Sequence, residues 1–144
     1  MKFEYFLKSN YWKTEVIGKS LPDVVLQLGE PTDEGANKLK DLVKKFGDVE
    51  VGFNKGGFAF YCQIDLDVNQ SLKDEFQYWP IHGGMQLQNV LKLLNSIDLR
   101  YSVRTTELNP DFDEIITESG LIFTLAKPDA EFVGKGLVNI RTCV

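Results

Sequence analysis

Residues 18–31, GKSLPDVVLQLGEP, read as one short helix with both ends marked. Ser20 is the N-cap, Pro22 suits the first turn, and Asp23 stands where a capping box places its acid. Leu21, Val24, Val25 and Leu28 fall at i, i+3, i+4 and i+7, so four apolar side chains share one face. Gly29 supplies the left-handed stop and Pro31 forbids continuation. At a constant offset, Gly84, Leu87, Val90, Leu91 and Leu94 repeat Gly18 and the four stripe positions.

Working outward, residues 3–13 favour a helix through Phe3, Phe6 and Leu7. Residues 36–46 predict another, with Leu39, Leu42, Val43 and Phe46 as its stripe. Asp33 and Glu34 precede it and Lys44 and Lys45 close it, the charge order that a helix dipole favours. Beyond Gly47 the period changes to two. Val49, Val51 and Phe53 alternate with polar or small residues, Asn54-Lys55-Gly56-Gly57 turns the chain, and Phe58, Phe60, Cys62, Ile64 and Leu66 alternate onward. This predicts a hairpin with one buried face, with Ala59, Tyr61, Gln63, Asp65 and Asp67 on the other. Residues 69–77 form a polar connector. Strands are expected over 99–104, 115–117, 121–125 and 137–144, with a loop over 107–113 marked by Asn109-Pro110. The expected fold class is α+β, an antiparallel sheet with helices on one face. The whole of 1–144 forms one domain, readable as pseudo-repeat halves 14–68 and 80–144.

At 144 residues the chain is long enough for one real core. Its formal charge of −5 argues against direct binding to nucleic acid or an anionic membrane, both of which need a dense cationic face. No apolar run approaches the ~18 residues of a membrane helix, and the first residues do not read as a signal peptide. Cys62 and Cys143 sit in alternating apolar segments, as small buried thiols do, so a reduced, cytoplasmic protein is expected.

A helix carrying Gly18, Val24, Val25, Leu28, Gly29 and Pro31, followed by a two-strand hairpin and then repeated, resembles the tandem modules of β-lactamase-inhibitor-protein-like folds and related small outer-membrane assembly lipoproteins. The hairpin of 47–53 with 58–66, and the closing segments 120–125 and 137–140, are similar to small bacterial proteins that read as immunity or immunity-like factors of toxin systems. That resemblance implies a protein that binds and neutralises a toxin, with no cofactor.

Chemistry-bearing residues are sparse. His82 is the sole histidine, which excludes a two-histidine metal site, and beside Gly83-Gly84 it reads as a loop residue. Cys62 alternates with Phe60 and Ile64 onto the apolar face, where a thiolate is disfavoured. Asp65, Asp67, Asp74 and Glu75 form one acidic group, and Glu107, Asp111, Asp113, Glu114 and Glu118 another. Neither has the spacing of a calcium loop. The Lys38, Lys40, Lys44 and Lys45 group reads as a solvated helix face. Tyr61 shares a strand face with Asp65 and Asp67, an aromatic anchor beside acids that suits a basic protein partner. The expected partner-binding set is Tyr61, Asp65, Asp67, Trp79, Asp111 and Asp113, with no catalytic, cofactor or metal residues. The alternative is a small enzyme or ligand-binding module using His82 with Asp65 or Asp67, or a structural protein.

Overall fold

The computed structural model of the chain describes residues 2–36, 42–68, 71–72, 76–106, 108–128 and 136–143. Short helices α1 (Phe3–Ser9) and α2 (Tyr11–Glu15) open the chain, and α3 (Leu21–Leu28) leads into strands β1 (Asp33–Ala36), β2 (Leu42–Phe46), β3 (Val49–Phe53) and β4 (Ala59–Asp65). A longer helix α4 (Leu87–Ser96) then leads into β5 (Tyr101–Thr106), β6 (Asn109–Thr117), β7 (Ile122–Ala126) and β8 (Gly136–Cys143). Among the described residues these eight strands form one sheet in the order β1-β2-β3-β4-β8-β7-β6-β5, antiparallel at every pairing. Each run of four is a meander, and the two meet where β4 pairs with β8.

The organising helix forms as its sequence predicts. Ser20 caps α3, its hydroxyl accepting from the Asp23 amide at 3.4 Å, and Gly29 ends it at φ 90°. Residues 42–46, by contrast, are a strand and not a helix. Glu34 stands directly opposite Lys44, with 2.7 Å between Lys44 Nζ and Glu34 Oε2, and Asp33 stands opposite Lys45. The charges that matched a helix dipole therefore match across a ladder just as well. Hairpin pairing of β2 with β3, joined through Gly47 and Asp48, decides between them, because it satisfies the backbone while burying Phe46. Leu39 of the expected stripe lies outside the described residues, as do Lys38, Lys40, Asp74, Glu75 and Glu107.

Two further expectations change. The expected loop over 107–113 is largely strand, since β6 begins at Asn109. A register shift between Thr105 and Thr106 leaves 110–112 unpaired with β5, so the missing N–H of Pro110 disrupts no rung there. In the β3–β4 hairpin a bulge sets Phe53 opposite Ala59 and Gly52 opposite Tyr61, with Phe60 between them unopposed. The alternation therefore slips. Ala59 is buried, Phe60 is half-buried, and Phe58 is half exposed.

Val49, Val51, Cys62, Ile64, Ile140, Phe123 and Ile115 point to the helix-covered side and form one cluster with the helix residues Phe6, Leu7, Trp12, Val24, Val90 and Leu94. Trp79, expected at a binding surface, is only 9% exposed. Its ring lies 4.6 Å from Phe76, 4.9 Å from Phe6 and 5.2 Å from Phe3, because a ring this large gains more by packing among other rings than by facing water.

The helices are tied to the sheet through a buried polar node. Asn10, at φ 45° between α1 and α2, accepts from the Lys13 amide and donates through Nδ2 to the Ser119 carbonyl (3.0 Å) and to Thr142 Oγ1 (3.1 Å). Ser119 Oγ in turn donates to the Leu7 carbonyl at 2.6 Å. The Asn10 side chain thus joins the helical corner to the β6–β7 turn and to β8, and its left-handed backbone is one that asparagine tolerates better than most residues. Asn10→Ala removes the cap and strands buried partners, so a loss of about 2–4 kcal/mol is expected in chemical denaturation. Ser9→Ala next to it, whose hydroxyl only donates to Tyr5 within α1, should change stability by about 0.5 kcal/mol or less.

Candidate functional site

The side of the sheet away from the described helices carries an ordered polar array. Side chains alternate along each strand, so the register fixes which residues share this face. One row perpendicular to the strands runs Lys45, Glu50, Gln63, Arg141, Ile122, Ile116 and Ser102. The next runs Asp65, Asn139, Thr124, Glu114 and Arg104. The polar residues of these rows come from both meanders, and the β4–β8 pairing brings them onto one surface.

Glu114 is the focus of the second row. Its side chain is 9% exposed, yet it stands on the face without helices. Arg104 Nε donates to its Oε1 at 3.2 Å from β5, and Arg141 Nη2 donates to its Oε2 from β8, reaching across β7. Arg141 also donates through Nη1 to Thr124 Oγ1 and, at 3.4 Å, to Asn139 Oδ1. A carboxylate this shielded needs cationic partners to hold its charge, and two guanidinium groups supply them. The cluster carries two positive charges to one negative. The β5-to-β8 half of the face is therefore locally cationic.

The β3–β4 half has the opposite character. Tyr61 lies flat over Gly52, where a Cβ would come within 2.0 Å of Tyr61 Cε1, and its hydroxyl donates to Glu50 Oε1 at 2.9 Å. Glycine is required there by the ring's close approach, an arrangement in which an aromatic covers a bare strand position. Gln63 Nε2 donates to Asp65 Oδ1 at 2.6 Å, and Asp65 is exposed. Tyr61, Gln63 and Asp65 thus line one strand face, with Glu50 beside them. The acids keep an accessible edge while the aromatic is immobilised.

Of the expected partner-binding set, the structure brings Tyr61 and Asp65 together on this face and disperses the rest. Asp67 follows the end of β4 and lines a separate cleft. Trp79 is core. Asp111 is exposed at the far end of β6, and Asp113, opposite Leu125 and Thr105, belongs to the helix side, where it accepts from Thr105 Oγ1 at 2.7 Å and pairs with Lys127 at 3.9 Å. The described members of the two acidic groups therefore do not make one acidic surface. Arg104, Glu114 and Arg141 were missed as a unit because each sits in a different strand. Their signal was the recurrence of polar residues at every second position, Arg100-x-Ser102-x-Arg104 and Asn139-x-Arg141, which marks a polar sheet face without naming its partners.

The separate cleft, of about 510 Å³, is lined by His82, Asp67, Leu66, Phe76, Trp79 and neighbouring residues, and Asp65 is not among them. His82 is exposed, and its Nδ1 lies 2.9 Å from the Gly83 carbonyl. The glycines after it serve the backbone. A Cβ on Gly83 would lie 2.6 Å from the Asp67 carbonyl carbon, and the Gly84 amide donates to the Leu137 carbonyl at 2.9 Å. Among the described residues there is no group of three His, Cys, Asp or Glu side chains arranged to hold a metal ion.

Cys62 is fully buried, and burial pushes its thiol well above the usual thiol range. An unfolded thiol ionises near pH 8.5, whereas the folded one stays protonated, so this residue makes stability fall as pH rises above about 8.5. Native protein is expected to leave Cys62 unmodified by iodoacetamide and to expose it only on unfolding, read by mass spectrometry of the labelled peptide. For the arginine cluster, Arg141→Met should cost about 1–2 kcal/mol and Arg104→Met about 0.5 kcal/mol in urea denaturation, since the Arg141 side chain is 29% exposed and that of Arg104 is 55% exposed.

Comparison with family models, curated proteins and solved structures finds no match to this chain, so what its site does rests on its own geometry.

Proposed function

We propose that this protein acts by binding another protein across the open face of its sheet, as an immunity-like or inhibitor protein that neutralises a cationic bacterial toxin. The observation that supports this reading is the β3–β4 half of the face. There Tyr61 is fixed over Gly52 with Glu50 and the exposed Asp65 around it, on a side that no described helix covers. An aromatic held in one rotamer adds contact area with little ordering left to do on binding. Carboxylates beside it attract a basic partner and select its orientation, an effect felt mainly in the association rate. The Arg104–Glu114–Arg141 cluster gives the other half of the face the opposite sign. A partner is thereby held in one register, with its basic group over Asp65 and an acidic or polar group over Arg141. The toxin class comes from the resemblance in sequence to immunity-like factors.

A second reading, a ligand-binding module, draws on the cleft that holds His82 and Asp67. Co-expression with a basic toxin encoded beside this protein separates the two. Asp65→Lys is expected to abolish protection and to slow association by about tenfold or more at low salt. His82→Ala should leave protection intact. Full protection by Asp65→Lys removes the sheet face from the proposal, and loss of protection only with His82→Ala or Asp67→Lys moves the site to the cleft.

A further inference from the structure

The sheet has two outer edges, and they are treated differently. Edge strands expose unpaired N–H and C=O groups, and proteins blunt them with charge, brevity, proline or bulges. The edge strand β1 is short, Asp33-Glu34-Gly35-Ala36, and carries two acids. The edge strand β5, Tyr101-Ser102-Val103-Arg104-Thr105-Thr106, is longer, rich in β-branched and aromatic residues, and free of proline and lysine. Its one charge, Arg104, is half exposed and paired through Nε with Glu114 on the neighbouring strand, and its register shift lies at the last step, between Thr105 and Thr106, beyond Val103.

The hydrogen-bond phase of β5 fixes which backbone groups face outward. The Glu118 amide donates to the Arg100 carbonyl at 2.9 Å, whereas the Thr117 amide donates away from β5, to the Leu121 carbonyl at 2.9 Å. Arg100, Ser102 and Arg104 therefore direct their backbone groups at β6, and those of Tyr101, Val103 and Thr105 point away from the sheet. No described residue pairs with them, and Val103 is 44% exposed.

We propose that a second copy of this chain occupies this edge, pairing β5 with β5 antiparallel about a two-fold axis at Val103. The strand is self-complementary in that register. Val103 meets Val103 of the partner copy, Tyr101 meets Thr105, and Ser102 meets Arg104, so no like charges stand directly opposite. The outward groups of Tyr101, Val103 and Thr105 are the ones that exchange N–H···O bonds in such a pair. On the helix side the pairing covers Val103. On the other side it makes the two open faces continuous, with one Arg104–Glu114–Arg141 cluster on each side of the axis. The proposal is independent of the toxin-binding reading.

Light scattering and sedimentation of the full chain test it. Wild-type protein is expected to be a dimer that dissociates on dilution. Val103→Pro deletes an outward-facing donor without removing a rung to β6, and Val103→Lys sets like charges opposite each other at the axis. Each is expected to weaken association by about a hundredfold or more while circular dichroism and the unfolding midpoint show the fold retained. If Val103→Pro does not fold, Val103→Lys carries the same test. Wild-type protein that stays monomeric up to millimolar concentration overturns the proposal, and that is the result expected if the edge is kept for a strand of another protein. A folded Val103 variant that remains as dimeric as wild type also overturns it.

Discussion

Pairing of β4 with β8 is the join on which the rest of the structure depends. Without it there are two meanders, one preceded by α1, α2 and α3 and the other by α4. With it the sheet is continuous, so that Cys62, Ile64, Thr142 and Ile140 stand together under the helices while Gln63, Arg141, Asp65 and Asn139 stand together on the opposite side. Antiparallel pairing enforces this separation, because a shift of one residue would move every side chain to the other face. Burial of Ile64 and Ile140 at a directly opposed pair holds the register. The polar face inherits its order from that apolar contact.

Two polar clusters then fix what hydrophobic contact leaves free. On the helix side Asn10 links the α1–α2 corner to Ser119 and Thr142, a directional tie beside the buried Phe6 and Trp12. On the open side Glu114 draws Arg104 and Arg141 into one arrangement across four strands. Ionic groups so shielded add little net stability compared with apolar residues of similar size, since desolvation offsets attraction. What they contribute on this face is a fixed pattern of charge, with a cationic half beside a half where Glu50 and Asp65 flank an immobilised tyrosine.

Sequence-level expectations failed where a local pattern had two solutions. The run from Asp33 to Phe46 satisfies the charge order of a helix and also the cross-strand order of a hairpin, and β3 decides the matter by offering a ladder to β2. Asn109-Pro110 marks a turn in most settings, but a register shift beside it lets β6 begin there. In the β3–β4 hairpin one unopposed residue, Phe60, was enough to exchange the faces of Ala59 and Phe58. Bulges of this kind answer to the twist and packing of the whole sheet, so no nearby residue announces them. Trp79 shows the same limit for a single side chain, because two of its three aromatic neighbours, Phe3 and Phe6, lie more than seventy positions away in the chain.

The sequence by itself determined the α+β class, the capped helix over Leu21–Leu28, the amphipathic helix over Leu87–Ser96, the Asn54–Gly57 turn and the buried state of Cys62, because caps, glycines and apolar periodicity act over a few residues. Tertiary structure alone decided the strand order, the Asn10 node, the separation of Asp65 from Asp113, and the meeting of Arg104, Glu114 and Arg141. Each of these depends on contacts between strands or corners far apart in the chain. The free energy of such a contact belongs to the pair and is written in neither segment alone.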